Sequence, residues 1–168
     1  MTGTAEQRAM PVAVLMRRRE VGRGPWRTET WEATGVVTGE AATRDAPGPH
    51  AAVREEGSGQ VTQVLWCGLA LELHVDEAES YDHNLRSPQP SLFVVCHLDE
   101  AALPPLRPIL VSASQDEAGA YLEAEAEVFA VPMPAEIGAR LERYVLDHYR
   151  PAPRAKRRRR PWHAGERG

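Results

Sequence analysis

The chain has 168 residues, of which 42% are hydrophobic and 26% charged, a composition typical of a folded globular domain and not of a disordered one. Its net charge is −4, and its two cysteines are too few for a disulfide framework. No run approaches the roughly 18 to 20 apolar residues of a membrane helix, and the N-terminal charges follow the short apolar run, which argues against a secretory signal. We therefore expect a cytoplasmic protein without a membrane span.

The first predicted elements are strands. Residues 12–16 form a continuous apolar run that suits a strand buried on both faces. Residues 25–39 mix tryptophan and valine with many Thr and Glu residues, which predicts a partly exposed strand bent near Gly35. From residue 40 to residue 60 the periodicity is lost, and Gly, Ala and charged residues dominate. This segment is predicted to be a mobile surface loop.

Regular patterns return in the middle of the chain. Residues 61–67 are apolar and β-branched enough for a strand, and residues 69–76 show the clearest alternation of apolar and polar side chains. Residues 91–97, 109–111 and 128–131 predict three further strands, the last two short.

Two helices are predicted near the C-terminus. Ser114 and Glu117 have the spacing of a capping box, which opens a helix that reaches about residue 125. Pro134 suits the first position of a second, amphipathic helix that Pro151 stops.

Strands that come first and helices that come last predict an α+β fold. We expect a small twisted antiparallel or mixed sheet, or an incomplete barrel, with two C-terminal helices over one face or end. Residues 10–150 would form this single domain, and 151–168 a basic disordered tail. Before Arg150 there are 12 Lys and Arg against 23 Asp and Glu, which gives −11; the remainder has 8 basic residues and one acidic residue, which gives +7.

The connection between the predicted strands at residues 76–90 is the most informative segment. It combines carboxylates with Tyr81, Asn84 and Arg86, and two prolines stiffen its exit. A rigid scaffold that carries a polar loop is a common way to present binding groups. The candidate binding residues are Asp76, Glu77, Tyr81, Asn84, Arg86 and, from an earlier strand, Trp31. The competing interpretation is that Tyr81 and Asn84 only satisfy backbone groups in the turn.

No catalytic or metal-binding motif occurs. Cys67 and Cys96 lie in apolar strands and are interpreted as structural thiols, since Cys96 and His97 point to opposite faces of one strand. His74 and His83 lie near several carboxylates, which leaves a metal site as an alternative to a solvated turn capped by Asp76. We predict no catalytic residues, no bound metal and no cofactor.

Aromatic and basic residues leave further alternatives open. Trp26, Trp31 and Trp66 suit either core packing or a surface for a partner. Residues 154–160 carry six basic residues in seven positions, which suits either solvated disorder or docking to an acidic partner, anionic lipid or nucleic acid. Sequence-specific DNA reading is not expected, because no recognition helix accompanies the run.

Four blocks and their order carry a family resemblance. These blocks are PVAVLMRRREV, PWRTETWEATGVV, DEAESYDHNLRSPQPSLFVV and VPMPAEIGARLERYVLDHY, followed by a basic end. In this order they resemble the bacterial domain-of-unknown-function family 3305, whose members tend to be encoded beside molybdenum-containing respiratory formate dehydrogenases. The resemblance implies an accessory or maturation role without assigned catalytic residues. Some members are labelled as molybdopterin-guanine dinucleotide biosynthesis proteins, but this chain lacks the Gly-rich nucleotide-binding loop expected of a guanylyltransferase.

Three functional hypotheses follow. The leading one is a non-enzymatic accessory factor that binds a formate dehydrogenase component or a fellow maturation protein. The second is an enzyme or carrier for a molybdenum-cofactor derivative, with residues 76–90 as its pocket. The third is a regulator that uses its basic tail on nucleic acid.

Overall fold

The protein folds as a mixed β-sheet with three α-helices. The computed structural model describes residues 8–43, 48–57, 59–102 and 104–153. The strands are β1 (Ala9–Val21), β2 (Thr28–Val37), β3 (His50–Gly57), β4 (Gln60–Glu72), β5 (Ser91–Leu98), β6 (Leu106–Ser112) and β7 (Glu127–Pro132). The helices are α1 (Ala78–Arg86), α2 (Gln115–Leu122) and α3 (Ala135–His148). None of the helices in the described ranges is long and apolar enough to cross a membrane.

The sheet curls into a nearly closed barrel. Its strand order is β2-β1-β4-β6-β5-β7, and β3 pairs with the first half of β4. All pairings are antiparallel except that of β4 with β6, whose single paired position is Leu71 with Val111. The two end strands, β2 and β7, lie against each other without forming a ladder. The prediction of an α+β fold is confirmed, and among the alternatives for the sheet the structure has the mixed one in a nearly closed barrel.

The main core fills the barrel and continues under α1 and α3. Alternate residues of β1 point inward, and β4 contributes a matching row that includes Leu69 and Leu71 and continues to Leu73, just after the strand. Ile137, Leu141 and Tyr144 of α3 belong to the same core. The amphipathic face of α3 is therefore what covers this part of the sheet.

A second, smaller core lies on the other face of β1 and β4. Ala13 and Cys67 are completely buried there against Ala42. Ala42 belongs to the short 3₁₀ turn Gly39–Thr43, which covers the strands from outside. Burial on both faces explains why residues 12–16 form a continuous apolar run and not an alternating one.

The predicted loop at residues 40–60 needs correction. Residues 50–57 form β3, which pairs with β4 as an antiparallel hairpin. Alanine and glutamate have a low strand propensity, but the neighbouring β4 offers a ladder of hydrogen-bonding partners that overrides it. The predicted mobility of this segment stays a prediction, and residues 44–47 and 58 lie outside the described residues.

The number of helices also differs from the prediction. The two C-terminal helices are present as α2 and α3, with β7 between them. The polar connection at residues 76–90 contains a third helix, α1, which follows the 3₁₀ turn Val75–Glu77. Of the predicted tail, residues 151–153 are not helical, and residues 154–168 lie outside the described part of the chain.

Gly68 marks the point at which β4 changes partners. On the side opposite β1, β4 pairs with β3 up to Cys67 and then with β6 at Leu71. Gly68 has a φ of +84°, a left-handed conformation that favours glycine. A Cβ at this position would lie 2.0 Å from the backbone oxygen of Gly48, far inside contact distance.

We expect Gly68→Ala to lower the free energy of unfolding by about 3 kcal/mol, since the variant adds left-handed strain to a backbone clash. Gly35→Ala is the matched control, because Gly35 also lies in a strand but has open space at its Cβ position. The control should change stability by no more than about 1 kcal/mol. Urea unfolding measures both variants, and equal effects would contradict this account of Gly68.

Candidate functional site

The six predicted site residues fall into two separate places. Asp76 and Glu77 lie in the 3₁₀ turn before α1, and Tyr81, Asn84 and Arg86 lie on α1 itself. Trp31 lies on β2, is only 8% exposed and lines cavities that share no residue with those beside α1. The predicted residues therefore do not form one site.

Tyr81 is a core residue. Its side chain has no exposed surface, and its ring packs edge-on against Tyr144 with 6.1 Å between centroids. Its hydroxyl accepts a hydrogen bond from the backbone N–H of His74 at 3.0 Å. Burial raises the pKa of this hydroxyl to about 12, with a further rise from the carboxylates of Glu117 and Glu77 and an opposing effect of the hydrogen bond. Tyr81 attaches α1 to the end of β4 and offers no surface to a partner.

Asn84 also satisfies backbone groups. Its amide nitrogen donates to the carbonyl oxygens of Ser91 at 2.7 Å and Ala113 at 2.9 Å. Its amide oxygen accepts from the Ser91 N–H at 3.0 Å. One side chain thus joins α1 to the start of β5 and to the residue that follows β6. Tyr81 and Asn84 both form hydrogen bonds with backbone groups, as the competing interpretation expects.

Glu77 takes part in a polar cluster at the start of α2. The buried hydroxyl of Ser114 donates to the Glu77 carboxylate, lies 3.0 Å from the Ser80 hydroxyl, and accepts from the Glu117 N–H at 3.0 Å. The Glu117 carboxylate accepts from the hydroxyl of Ser112 at 2.7 Å, and the same hydroxyl accepts from the Ser114 N–H. Ser114 therefore caps α2 as predicted. The other contact of the capping box, from the Ser114 N–H to the Glu117 carboxylate, runs through the Ser112 hydroxyl.

Two of the predicted contacts remain accessible. Asp76 is exposed. The Arg86 side chain is 73% exposed and forms an ion pair with Asp82, one helical turn earlier, at 3.1 Å. An exposed pair at this spacing stabilises a helix by only about 0.3 to 0.5 kcal/mol, so folding alone makes little use of Arg86.

A polar cavity of about 290 Å³ lies between α1, the start of β5 and the start of α2. Its lining residues are Ser80, His83, Asn84, Ser87, Gln89, Ser91, Phe93, Gln115 and Asp116. The Ser87 and Ser91 hydroxyls already donate to nearby backbone carbonyls. No Lys or Arg occurs among the described residues that line it, so the cavity lacks the cations that phosphate groups usually require.

The cysteines lie as the sequence predicts. Both are completely buried, and the Cys67 thiol donates to the backbone oxygen of Ala41 at 3.1 Å. Burial, followed by the charge of Glu127, raises the pKa of the Cys96 thiol to about 12, so it is protonated at neutral pH. His97 is exposed on the opposite face of β5. The Cys96 thiol is therefore shielded from solvent, and His97 does not lie on its side of the strand.

The described residues near α1 offer few side chains that could bind a metal ion together. His74 lies 4.0 Å from the carboxylate of Glu72. Within the described ranges, no group of three or more His, Cys, Asp or Glu side chains is arranged to hold a metal ion. The absence of a bound metal stays a prediction.

The three tryptophans among the described residues differ sharply in exposure. Trp31 and Trp66 are 8% and 6% exposed, which confirms core packing for both, whereas Trp26 is 82% exposed. Trp26 lies in a 3₁₀ turn (Gly24–Trp26) between β1 and β2 and not in a strand. The sequence signal for this turn is the combination of Gly22, Gly24 and Pro25 within four residues.

The backbone that carries Trp26 is tightly built. We call residues 22–27 the Trp26 turn. Gly22 has a φ of +101°, and a Cβ there would lie 2.3 Å from the Trp26 carbonyl oxygen. The Trp26 N–H donates to the Arg23 oxygen at 3.2 Å, and the Val21–Thr28 pair closes the hairpin. The turn therefore presents an exposed indole at the tip of the β1–β2 hairpin.

The profile of a known family, described as a protein of unknown function (DUF3305), matches residues 11–159. The chain belongs to the DUF3305 family. No curated protein and no solved structure matches it. The matched range of the DUF3305 domain includes the Trp26 turn, all three helices and every strand except the first two residues of β1.

In the DUF3305 domain we expect Asn84→Ala to lower the free energy of unfolding by about 2 kcal/mol, since three backbone groups lose their partner. Arg86→Ala should change it by less than about 0.5 kcal/mol, because it removes only an exposed ion pair. Urea unfolding of the two variants tests this contrast. A destabilised Arg86 variant beside an unaffected Asn84 variant would contradict the assignment of structural and accessible residues.

We also expect an alkaline loss of stability that depends on Tyr81. In the unfolded chain its hydroxyl titrates near 10.0, and in the folded protein near 12, so the folded state holds the proton more tightly. The stability contributed by the neutral hydroxyl is complete below about pH 10 and falls by about 2 to 3 kcal/mol as the pH rises to 12.

Tyr81→Phe removes this titration and also the acceptor for the His74 N–H. The variant should be less stable by about 1 kcal/mol near pH 7 and should lose less stability above pH 10 than the wild type. Chemical unfolding at neutral and alkaline pH measures the difference. Parallel pH curves for the two proteins would show that Tyr81 is not responsible.

Proposed function

We propose that this protein is a non-enzymatic accessory or maturation factor for a molybdenum-dependent respiratory formate dehydrogenase. It acts in the cytoplasm by binding an enzyme component or a fellow maturation protein through the Trp26 turn. The observation that carries the binding role is the 82% exposure of Trp26 on a constrained backbone turn. The choice of partner rests on the resemblance to family 3305.

An exposed tryptophan on a fixed turn suits a binding anchor. Burying an indole against a partner removes a large apolar surface from water, and tryptophan is among the residues that most often dominate binding energy. Because the hairpin and the Trp26–Arg23 hydrogen bond already order this turn, docking has less chain to order than for a free peptide. Folding offers no comparable reason for an indole at this position. Trp31 and Trp66 are buried in the core, whereas Trp26 is exposed.

The described surfaces lend less support to the two alternatives. A molybdopterin derivative carries phosphate, and the cavity beside α1 is lined by no described Lys or Arg. The acidic body, with a charge of −11 before Arg150, opposes nucleic acid over most of its surface. The exposed Asp76 and Arg86 remain secondary candidates for contacts with the same protein partner.

Trp26→Ala should weaken binding to a purified formate dehydrogenase component or maturation partner by roughly 30-fold, as expected for the loss of a dominant anchor. Leu146→Ala is the matched control, because Leu146 is 81% exposed on α3 and lies outside the turn. The control should bind like the wild type. Formate dehydrogenase activity in a host that lacks the wild-type protein provides the second measurement, and thermal unfolding checks that both variants fold.

A Trp26 variant that is folded and fully active would refute the binding role of the turn. Unchanged formate dehydrogenase activity in a host without the protein would refute the assigned partner instead.

A further inference from the structure

Before Arg150, the basic residues of the chain are concentrated at and next to the Trp26 turn. Five of the 12 basic residues that precede Arg150 lie within residues 17–27, together with only one of the 23 acidic residues. The remaining 7 basic and 22 acidic residues are spread over the rest of that region. Within the region before Arg150, this distribution favours negative charge near the turn and opposes it over the acidic remainder.

Along the strands, most of this positive charge is compensated. The guanidinium of Arg17 lies 3.3 Å from the Glu32 carboxylate, and that of Arg18 lies 3.3 Å from Glu29. Arg19 also approaches Glu32, at 3.8 Å. These pairs cross the β1–β2 ladder, and two carboxylates offset two of the three positive charges there.

At the tip the compensation is incomplete. Arg27 lies 4.0 Å from Glu20, and the two side chains are 67% and 54% exposed, so water screens the pair. No described carboxylate lies within ion-pair distance of Arg23, which is exposed at the start of the turn. Arg23 and Arg27, which lie on either side of Trp26 in sequence, are therefore the turn's own source of weakly compensated positive charge.

We propose that the partner surface that receives the Trp26 turn is an acidic protein surface. It holds an apolar pocket for the indole, bordered by Asp or Glu carboxylates that pair with Arg23 and Arg27. This inference rests on the proposed function and deepens it by naming the chemistry of the partner. Arginine suits the role because its planar guanidinium binds carboxylates in a bidentate manner and its weak hydration makes desolvation less costly than for lysine.

A protein fits this surface better than other anions do. Nucleic acid and anionic membranes present negative charge over areas far wider than one hairpin tip, so the acidic remainder of the body would be repelled. A second copy of this chain also carries an acidic body, and a cross-link between two copies would identify it as the partner instead. A compact acidic pocket on a partner meets the turn while leaving the rest of the body in solvent.

Photo-cross-linking locates the partner surface directly. The photoreactive residue p-benzoylphenylalanine is placed at Trp26 in the full-length chain, expressed in a formate-grown native host and irradiated, and cross-linked peptides are identified by mass spectrometry. The expected cross-link lies in a segment of a different protein with several Asp or Glu residues beside apolar ones. The binding constant of that protein is then measured with unmodified wild type at low and high ionic strength.

Arg23→Glu should weaken this binding at least tenfold at low ionic strength and by a smaller factor at high ionic strength, since salt screens exposed charges. The matched control is Arg140→Glu, because Arg140 is exposed on α3 and lies outside the turn. It makes the same charge change and should alter the binding constant less than twofold.

Several results would overturn the proposal. They are a cross-link in a neutral or basic segment, a cross-link between two copies of this chain, or no cross-link at all. Equal effects of the Arg23 and Arg140 variants, or Trp26-dependent binding to phosphatidylglycerol vesicles or a single-stranded oligonucleotide, would do the same.

The outcomes also separate the two proposals. An acidic partner unrelated to formate dehydrogenase would refute the proposed function and support this inference. A neutral docking site on a formate dehydrogenase component would support the proposed function and refute this inference.

Discussion

The weak junction between β4 and β6 is the constraint on which this fold depends. One half of the barrel consists of β1 to β4 and the other of β5 to β7, and a single paired position, Leu71 with Val111, joins them within the described sheet. The left-handed Gly68 creates this junction, because β4 turns from β3 toward β6 there. So short a ladder needs support from other contacts.

Helix α1 provides that support. Tyr81 holds the helix to the end of β4 through the His74 N–H, and Asn84 holds it to the start of β5 and the end of β6. The contact of Glu77 with Ser114 extends the link to α2. Polar residues in the connection at residues 76–90 therefore join the two halves of the barrel, as strand pairing does elsewhere in the sheet.

This arrangement changes where function should be sought. The connection at residues 76–90 looks functional in sequence because buried hydrogen-bonding residues and binding residues are of the same types. Stability explains most of its polar side chains. Trp26 is the opposite case, since an indole that is 82% exposed contributes little to folding. The feature that folding does not explain is the better functional candidate.

Local patterns predicted the elements whose environment is uniform along their length. The alternation in β4, the apolar run of β5 and the amphipathic stripe of α3 each reflect a constant relation to the core. The burial of Cys96 beside an exposed His97 follows from the same two-residue period. By contrast, β3 was missed because its ladder with β4 depends on a partner strand and not on its own side chains.

The candidate site shows the same division. By itself, the sequence determined the α+β class, the acidic body, the position of the polar connection and the family resemblance, because composition, periodicity and motif order are local properties. Only the tertiary structure decided that Tyr81 and Asn84 face backbone groups and that Trp26, unlike Trp31 and Trp66, faces solvent. The physical reason is that burial depends on what packs against a side chain, and those neighbours come from distant parts of the chain.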